Sequence, residues 1–377
     1  MSNVSAQRLI SLDVFRGLTI GAMVLVNNPG TWSAIYPPFA HAAWDGWTFT
    51  DTIFPFFVFI MGIAIPIALE KRKASGQVGA GLYLKLLQRT AALFGLGLFL
   101  AIFPFYNWVK GEWIDIGELR IMGVLQRLAL CYLVASLLFL WLPTRGMLAA
   151  AFTLLLGYWA LMVVGGRGDL TPEGNFSGLI DRIILGPHMW KGSPFYDPEG
   201  LLSTLPAIAT CIFGVLTGQL ITSAKTNDAK VAEMFVWGFA LLALGWVWSA
   251  FFPINKSLWS SSYSVFMSGL AMCVLAACYW IIDIKGWKAW TGPFVVFGVN
   301  ALALFVGSGM MGRLLNMIPS GTGPDGKLVS LKTAIFDTVF APLASPMNAS
   351  LLFAICFIGL WLFLMWLLYH KRIFIKV

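Results

Sequence analysis

Ten runs of about twenty predominantly apolar residues punctuate this chain, each long enough to cross a bilayer as a helix. They lie at approximately 9–28, 52–69, 82–104, 121–142, 147–165, 201–221, 231–252, 260–282, 292–310 and 348–369. In hydrocarbon a segment must satisfy its own backbone polar groups, so such runs are helices and not open sheets. Charged residues make up 11% of the 377, where a soluble domain carries roughly 25%. The expected fold is therefore all-α: a polytopic integral membrane protein of about ten helices, with a single transmembrane domain over residues 1–377. No run of sequence is left for a soluble catalytic domain, so any chemistry falls to the helices and their connecting loops.

An even number of spans puts both termini on one side, and the distribution of Lys and Arg decides which. With the termini inside, the inner segments hold Arg8, Lys71, Arg72, Lys73, Lys85, Arg145, Lys225, Lys230, Lys285, Lys288, Lys371, Arg372 and Lys376, against Glu70, Asp228, Glu233 and Asp283. The outer segments hold more acids than bases. Both termini are thus expected in the cytoplasm. The formal charge of +8 follows from this asymmetry, and nucleic acid is not an expected partner.

Four outer loops are long (29–51, 105–120, 166–200 and 311–347) and rich in aromatic, Gly, Pro and acidic residues, which suits a polar site opening on that side. The five cysteines, Cys131, Cys211, Cys273, Cys278 and Cys356, all fall in apolar runs without C-x-x-C or histidine spacing. They read as packing residues, and neither a disulfide frame nor a metal site is expected. The first apolar run lacks the basic flank and small-residue cleavage site of a secretory signal and is expected to stay as a helix. No internal repeat is evident, which argues against a transporter built on inverted repeats.

Charges within spans are costly, at least about 2.5–3.5 kcal/mol each on insertion scales, and must face protein or a wet cavity. In SLDVFRG, Asp13 and Arg16 share one helix face. They are either a self-neutralising pair or a receiver for an anionic ligand. The same helix ends in VLVNNPG, which places Asn27 roughly 16 Å from Arg16 along the axis. Arg89 fits a side chain snorkelling to the inner face. Arg127, well inside its span, is harder to dismiss.

The densest polar cluster is HAAWDGWTFTDTIFPFF, with His41, Asp45 and Asp51 among aromatic residues. His370 opens a basic tail, and His188 lies in a Gly/Pro loop where packing is its simpler role. A carboxylate near His41 would set its tautomer and raise its basicity. With no Ser, Cys or Lys in a nucleophile motif, His41 is the candidate base.

Six stretches in order, RLISLDVFRGLTIGAMVLVNNPG, HAAWDGWTFTDTIFPFFVFIMG, GVLQRLA, DPEGLLSTLPAIATCIFGVLTG, NKSLWSSSYSVFMSG and FGVNAL, resemble the heparan-α-glucosaminide N-acetyltransferase family. The resemblance runs from residue 8 to about 305, in what looks like the compact bacterial form without an extended N-terminal luminal domain. It implies an acetyl-CoA-dependent N-acetyltransferase of the bacterial inner membrane. Cytoplasmic acetyl-CoA would donate to the amino group of a glucosamine-type sugar on the periplasmic side. His41 matches the family's active-site histidine, Asn27 the asparagine of its V-N motif, and Asp51 the aspartate opening the second helix, a catalytic set of three. Arg16 and Arg127 are the expected cofactor-binding cations. Asp45, Asp197, Glu199, Asn255, Lys256 and Trp259 are candidate substrate contacts, with Trp259 stacking on a pyranose ring. Loop capping and an interfacial aromatic belt are the alternative roles for the DPEG and NKSLW residues. Asn300 would be either part of the site or interhelical glue.

Direct attack of the amine and a relay through acetyl-histidine are both compatible with these residues. Two other functions share some of the features: a sugar transporter without chemistry, and a membrane O-acyltransferase acting on polysaccharide hydroxyls. The expected partners are an amino-sugar acceptor and the lipid bilayer, and a homodimer packed through exposed helices is compatible with the sequence.

Overall fold

The computed structural model describes residues 9–323 and 326–375; Arg8 and Lys376, counted above among the inner basic residues, lie outside them. Among the described residues the fold is built of helices, with two short hairpins. Among the described residues nine helices are long and apolar enough to cross a membrane. They are α1 (Ile10–Asn27), α2 (Phe49–Ala74), α3 (Ala80–Ile102), α4 (Val124–Trp141), α5 (Thr144–Gly165), α7 (Thr204–Thr222), α8 (Asn227–Trp248), α9 (Ser261–Cys278, continued by a π turn to Ile284) and α13 (Pro346–His370). Short α6 (Phe176–Ile184) and α12 (Leu331–Ile335) sit in long loops, as do the hairpins β1 (Tyr106–Asn107) with β2 (Glu112–Trp113) and β3 (Pro319–Thr322) with β4 (Leu328–Ser330). The protein is a multi-pass α-helical membrane protein.

The expected span at 292–310 is not one rod. It divides into α10 (Gly292–Val299) and α11 (Ala301–Met317), which meet at 83°. Asn300 leaves helical geometry at the joint (φ −122°, ψ 32°). Its amide pairs with another stretch of backbone, donating to the Ile373 carbonyl at 3.0 Å and accepting from the Ile375 N–H at 2.9 Å. Meanwhile α10 is clamped across the start of α1, backbone against backbone. A Cβ on Gly17 would lie 1.8 Å from the Phe294 carbonyl oxygen, and one on Gly298 2.0 Å from that of Asp13.

Two large apolar cores follow from this arrangement, beside two small clusters around Val14 and Met122. The larger is formed by α2 to α5 and α7 to α9, with Leu12 and Phe15 of α1. The smaller gathers Ile20 and Val24 of α1 with α10, α11 and α13. Helix α7 is central to the larger core and meets α2 at Gly62 and Gly214, where an added Cβ would come within 2.1 Å of a facing carbonyl in either direction. Small residues at such a crossing let two backbones approach, which drives packing where lipid is as apolar as leucine.

Since α1 belongs to both cores, the space beside it is the seam between them. The Ser11 N–H donates to Asp283 at 3.2 Å, and Asn300 holds residues 373–375. The start of α1 and the segment after α13 therefore gather at one end of the bundle. At the other end the loop after α1 meets α13 (Gly30 N–H to Ser350 carbonyl, 3.1 Å) and the first hairpin meets the end of α11 (Val109 N–H to Met317 carbonyl, 3.1 Å).

Candidate active site

A cavity of about 510 Å³ occupies the seam. Arg16, Arg89, Gly298, Val299 and Ile375 line one part of it, and Asn27, His41, Asp51, Glu199 and Lys256 the other. Ile20, Met23, Phe57, Met61, Leu125 and Phe305 supply apolar wall between them.

The polar end is built on the start of α2. Thr48 precedes the helix and Asp51 is its third residue, the position from which an acidic side chain reaches back to the N-cap backbone. Asp51 accepts from the N–H groups of Thr48 (2.9 Å) and Ala42 (3.0 Å), and its other oxygen lies 2.6 Å from Nδ1 of His41. Asp51 is buried, whereas the His41 side chain is 52% exposed. With Nδ1 protonated and held by the carboxylate, Nε2 carries the free lone pair toward the cavity. The Tyr263 hydroxyl donates to the Asp51 carbonyl at 2.5 Å and fixes this turn from below. The exposed Asn27 side chain makes no hydrogen bond among the described residues, which leaves its amide available to a ligand.

The remaining expected contacts separate into two groups. Glu199 and Lys256 reach the cavity, their charged ends 3.8 Å apart. Burial alone would push the Glu199 carboxyl up, but Lys256, Arg120 and Arg127 outweigh it and hold its pKa down at about 2. Arg120 donates to both Asp197 and Glu199. Burial opposes its charge, and the two carboxylates more than restore it, so its pKa lies above the ordinary arginine value.

Asp197, Asp45, Asn255 and Trp259 do not line the cavity. Asp197 is buried beneath Arg120 and accepts the Trp190 N–H at 2.8 Å. Asn255 donates to Asp45 at 3.1 Å while the Gly46 N–H donates to the Ile254 carbonyl at 2.7 Å. The His41 loop is thus pinned to the Lys256 loop. Trp259 is 0% exposed, edge-on to Phe54 and Tyr263, with its N–H on Thr210 at 3.2 Å, so no sugar ring can reach its face.

Arg127 likewise departs from expectation. It is 0% exposed and does not line the cavity. It donates to the Gly200 carbonyl (3.1 Å) and Ser203 Oγ (2.5 Å) and lies 5.1 Å from the Trp259 ring. Its work is to hold the loop that carries Glu199.

Arg16 is bonded to Asp13 at 3.2 Å and also lines the cavity. Arg89, read from sequence as a snorkelling side chain, lines the same cavity and lies 4.7 Å from the Tyr132 ring. Its position within a span was the signal that could have flagged it. Thr48 was signalled only by its three-residue spacing to Asp51, and Arg120 and Tyr263 carried no such signal, because their partners lie in other elements.

Fold and site together define a multi-pass membrane protein whose two helical cores enclose a chamber, cationic toward one end and faced by a histidine–aspartate pair at the other. The chain is similar to the heparan-alpha-glucosaminide N-acetyltransferase of Mus musculus, 31% identical over 359 residues, which cover 80% of this chain and 53% of that protein. The Homo sapiens protein of the same name is 32% identical over 357 residues, covering 80% and 52%. Residues 8–142 match a family described as Domain of unknown function (DUF5009). The similarity covers 80% of the chain, which spans about half the length of the curated relatives it matches.

Proposed function

We propose that this protein is a transmembrane N-acetyltransferase that moves an acetyl group from acetyl-CoA to the amino group of a glucosamine-type sugar. One observation carries the reading: a single cavity joins Arg16 and Arg89 to Asn27, His41 and Asp51. Arg16 and Arg89 would hold the phosphates of the donor, and the apolar wall would take its pantetheine arm. The thioester would then lie near Asn27, roughly 16 Å farther along α1. Nε2 of His41 takes a proton from the sugar ammonium and passes it to solvent at its exposed side. The freed amine attacks the thioester carbon, and Asn27 donates to the oxyanion. The intermediate collapses, the C–S bond breaks, and the thiolate takes the second amine proton to leave as CoA. Glu199 would receive the incoming ammonium.

Loop charge supports the sidedness. The Arg16 end, with Lys71, Arg72, Lys73, Lys285, Lys288, Lys371 and Arg372 near the helix ends on its side, would face the cytoplasm. The His41 end would face the periplasm across a bacterial inner membrane. Oriented proteoliposomes test this directly: labelled acetyl-CoA on the Arg16 side alone should acetylate glucosamine supplied only on the other. A requirement for both substrates on one side overturns the reading, and sugar counterflow without CoA makes the protein a transporter. Mass spectrometry of the product separates an amide from an ester. Labelled acetyl trapped on His41 without acceptor would replace direct attack by the two-step route.

A further inference from the structure

The stretch that follows α13 is built into the chamber. After His370 the chain reverses at Arg372, whose φ is +56°, and residues 373–375 run back under the bundle. Ile375 lines the cavity together with Arg16, Gly298 and Val299. This strap is held by Asn300, whose amide pairs with it as a peptide group would, one bond to the Ile373 carbonyl and one from the Ile375 N–H. Asn300 is 0% exposed and stands at the 83° joint between α10 and α11. It does not cap α11 with its side chain, although Asn is among the preferred capping residues. Both ends of its amide are spent on the strap.

We propose that residues 371–375 form a gate over the donor end of the chamber, latched by Asn300, and that Asn300 is a positioning residue governing how fast the acyl donor enters and spent CoA leaves. This rests on the acetyl-CoA reading above. Ile375 lines the chamber beside Arg16, Gly298 and Val299, so a donor entering at the Arg16 end meets the strap and moves it for exchange. Two backbone-to-amide bonds are a suitable latch. Intramolecular hydrogen bonds contribute modestly each, and losing the pair raises the open population by about tenfold or more.

The test is CoA exchange on the detergent-purified full chain with no acceptor present, using labelled CoA chased with unlabelled CoA. Asn300→Ala should release CoA at least about tenfold faster than wild type, and a separate steady-state assay with acceptor should show KM for the sugar unchanged. Because Asn300 also sits at a helix joint, a second variant ending at Arg372 removes the strap and leaves Asn300 in place. It should show the same acceleration, and combining the two changes should add nothing further, since each removes the same latch. Wild-type exchange rates in the shortened variant, or additive effects in the double variant, overturn the gate. A wild-type protein that binds no CoA overturns the donor reading itself, and the gate with it.

Discussion

Replacing Asp51 by Asn changes one atom of a side chain that the structure surrounds with donors. The carboxylate accepts from Ala42 N–H, Thr48 N–H and His41 Nδ1. An amide offers one acceptor oxygen and two donor hydrogens. If the oxygen stays on the backbone N–H groups, the amide donates to Nδ1, moves the imidazole proton to Nε2, and removes the lone pair that faces the cavity. If it turns to His41 instead, two buried N–H groups face an NH₂, at about 1–3 kcal/mol for each unsatisfied donor. Either way the base is lost or the loop strained. A lost general base lowers turnover by about 10²–10⁴, a barrier rise of roughly 3–5 kcal/mol. The assay is CoA release in detergent with glucosamine as acceptor, alongside a thermal melt and labelled-CoA binding. CoA should still bind, because Arg16 and Arg89 lie toward the other end. Turnover within threefold of wild type, in a protein that melts normally, would refute the argument that Asp51 sets the tautomer of His41.

Arg16→Gln should raise KM for acetyl-CoA several-fold and leave KM for the sugar unchanged, since it removes one of the two cavity-lining arginines; steady-state kinetics with each substrate varied checks it. Gly214→Ala should lower the melting temperature, because its Cβ would sit 2.1 Å from the Phe59 carbonyl and α2 and α7 must part; overpacking of this kind costs about 1–3 kcal/mol. Asp181 gives the pH dependence. Burial, with Asp197 adding to it, raises its pKa from 3.8 to about 6 although the Leu201 N–H opposes the shift. The folded state therefore holds this proton where the unfolded chain has lost it, and stability should fall as pH rises from about 4 to 6, by up to about 3 kcal/mol. Asp181→Asn should flatten that stretch of a melting-temperature profile. Glu199, held at about 2, has the opposite sign: its contribution is complete above about 4.5 and is lost as pH falls toward 2.

Local pattern was enough for the spans and for the parts of the site whose partners lie close by in sequence. Span length and apolarity depend on each run alone, and nine of the ten expected runs are helices of membrane-crossing length. Asp13 with Arg16, and Thr48 with Asp51, are set by helical spacing, so their pairing follows from order in the chain. His41 and Asp51, ten residues apart, meet because the intervening loop closes on the start of α2. Burial obeys no such local rule. Arg127 and Arg89 both read as arginines in apolar runs, yet one is walled in by Ser203 and Trp259 and the other lines the cavity, because facing helices decide which side is covered. Trp259 looked like a sugar platform until Phe54 and Tyr263 closed over it, and Asn255 with Asp45 proved to be a pin between two loops more than two hundred residues apart. The break at Asn300 belongs to the same class: its amide finds partners 73 and 75 residues away, and only the packed bundle brings that backbone within reach.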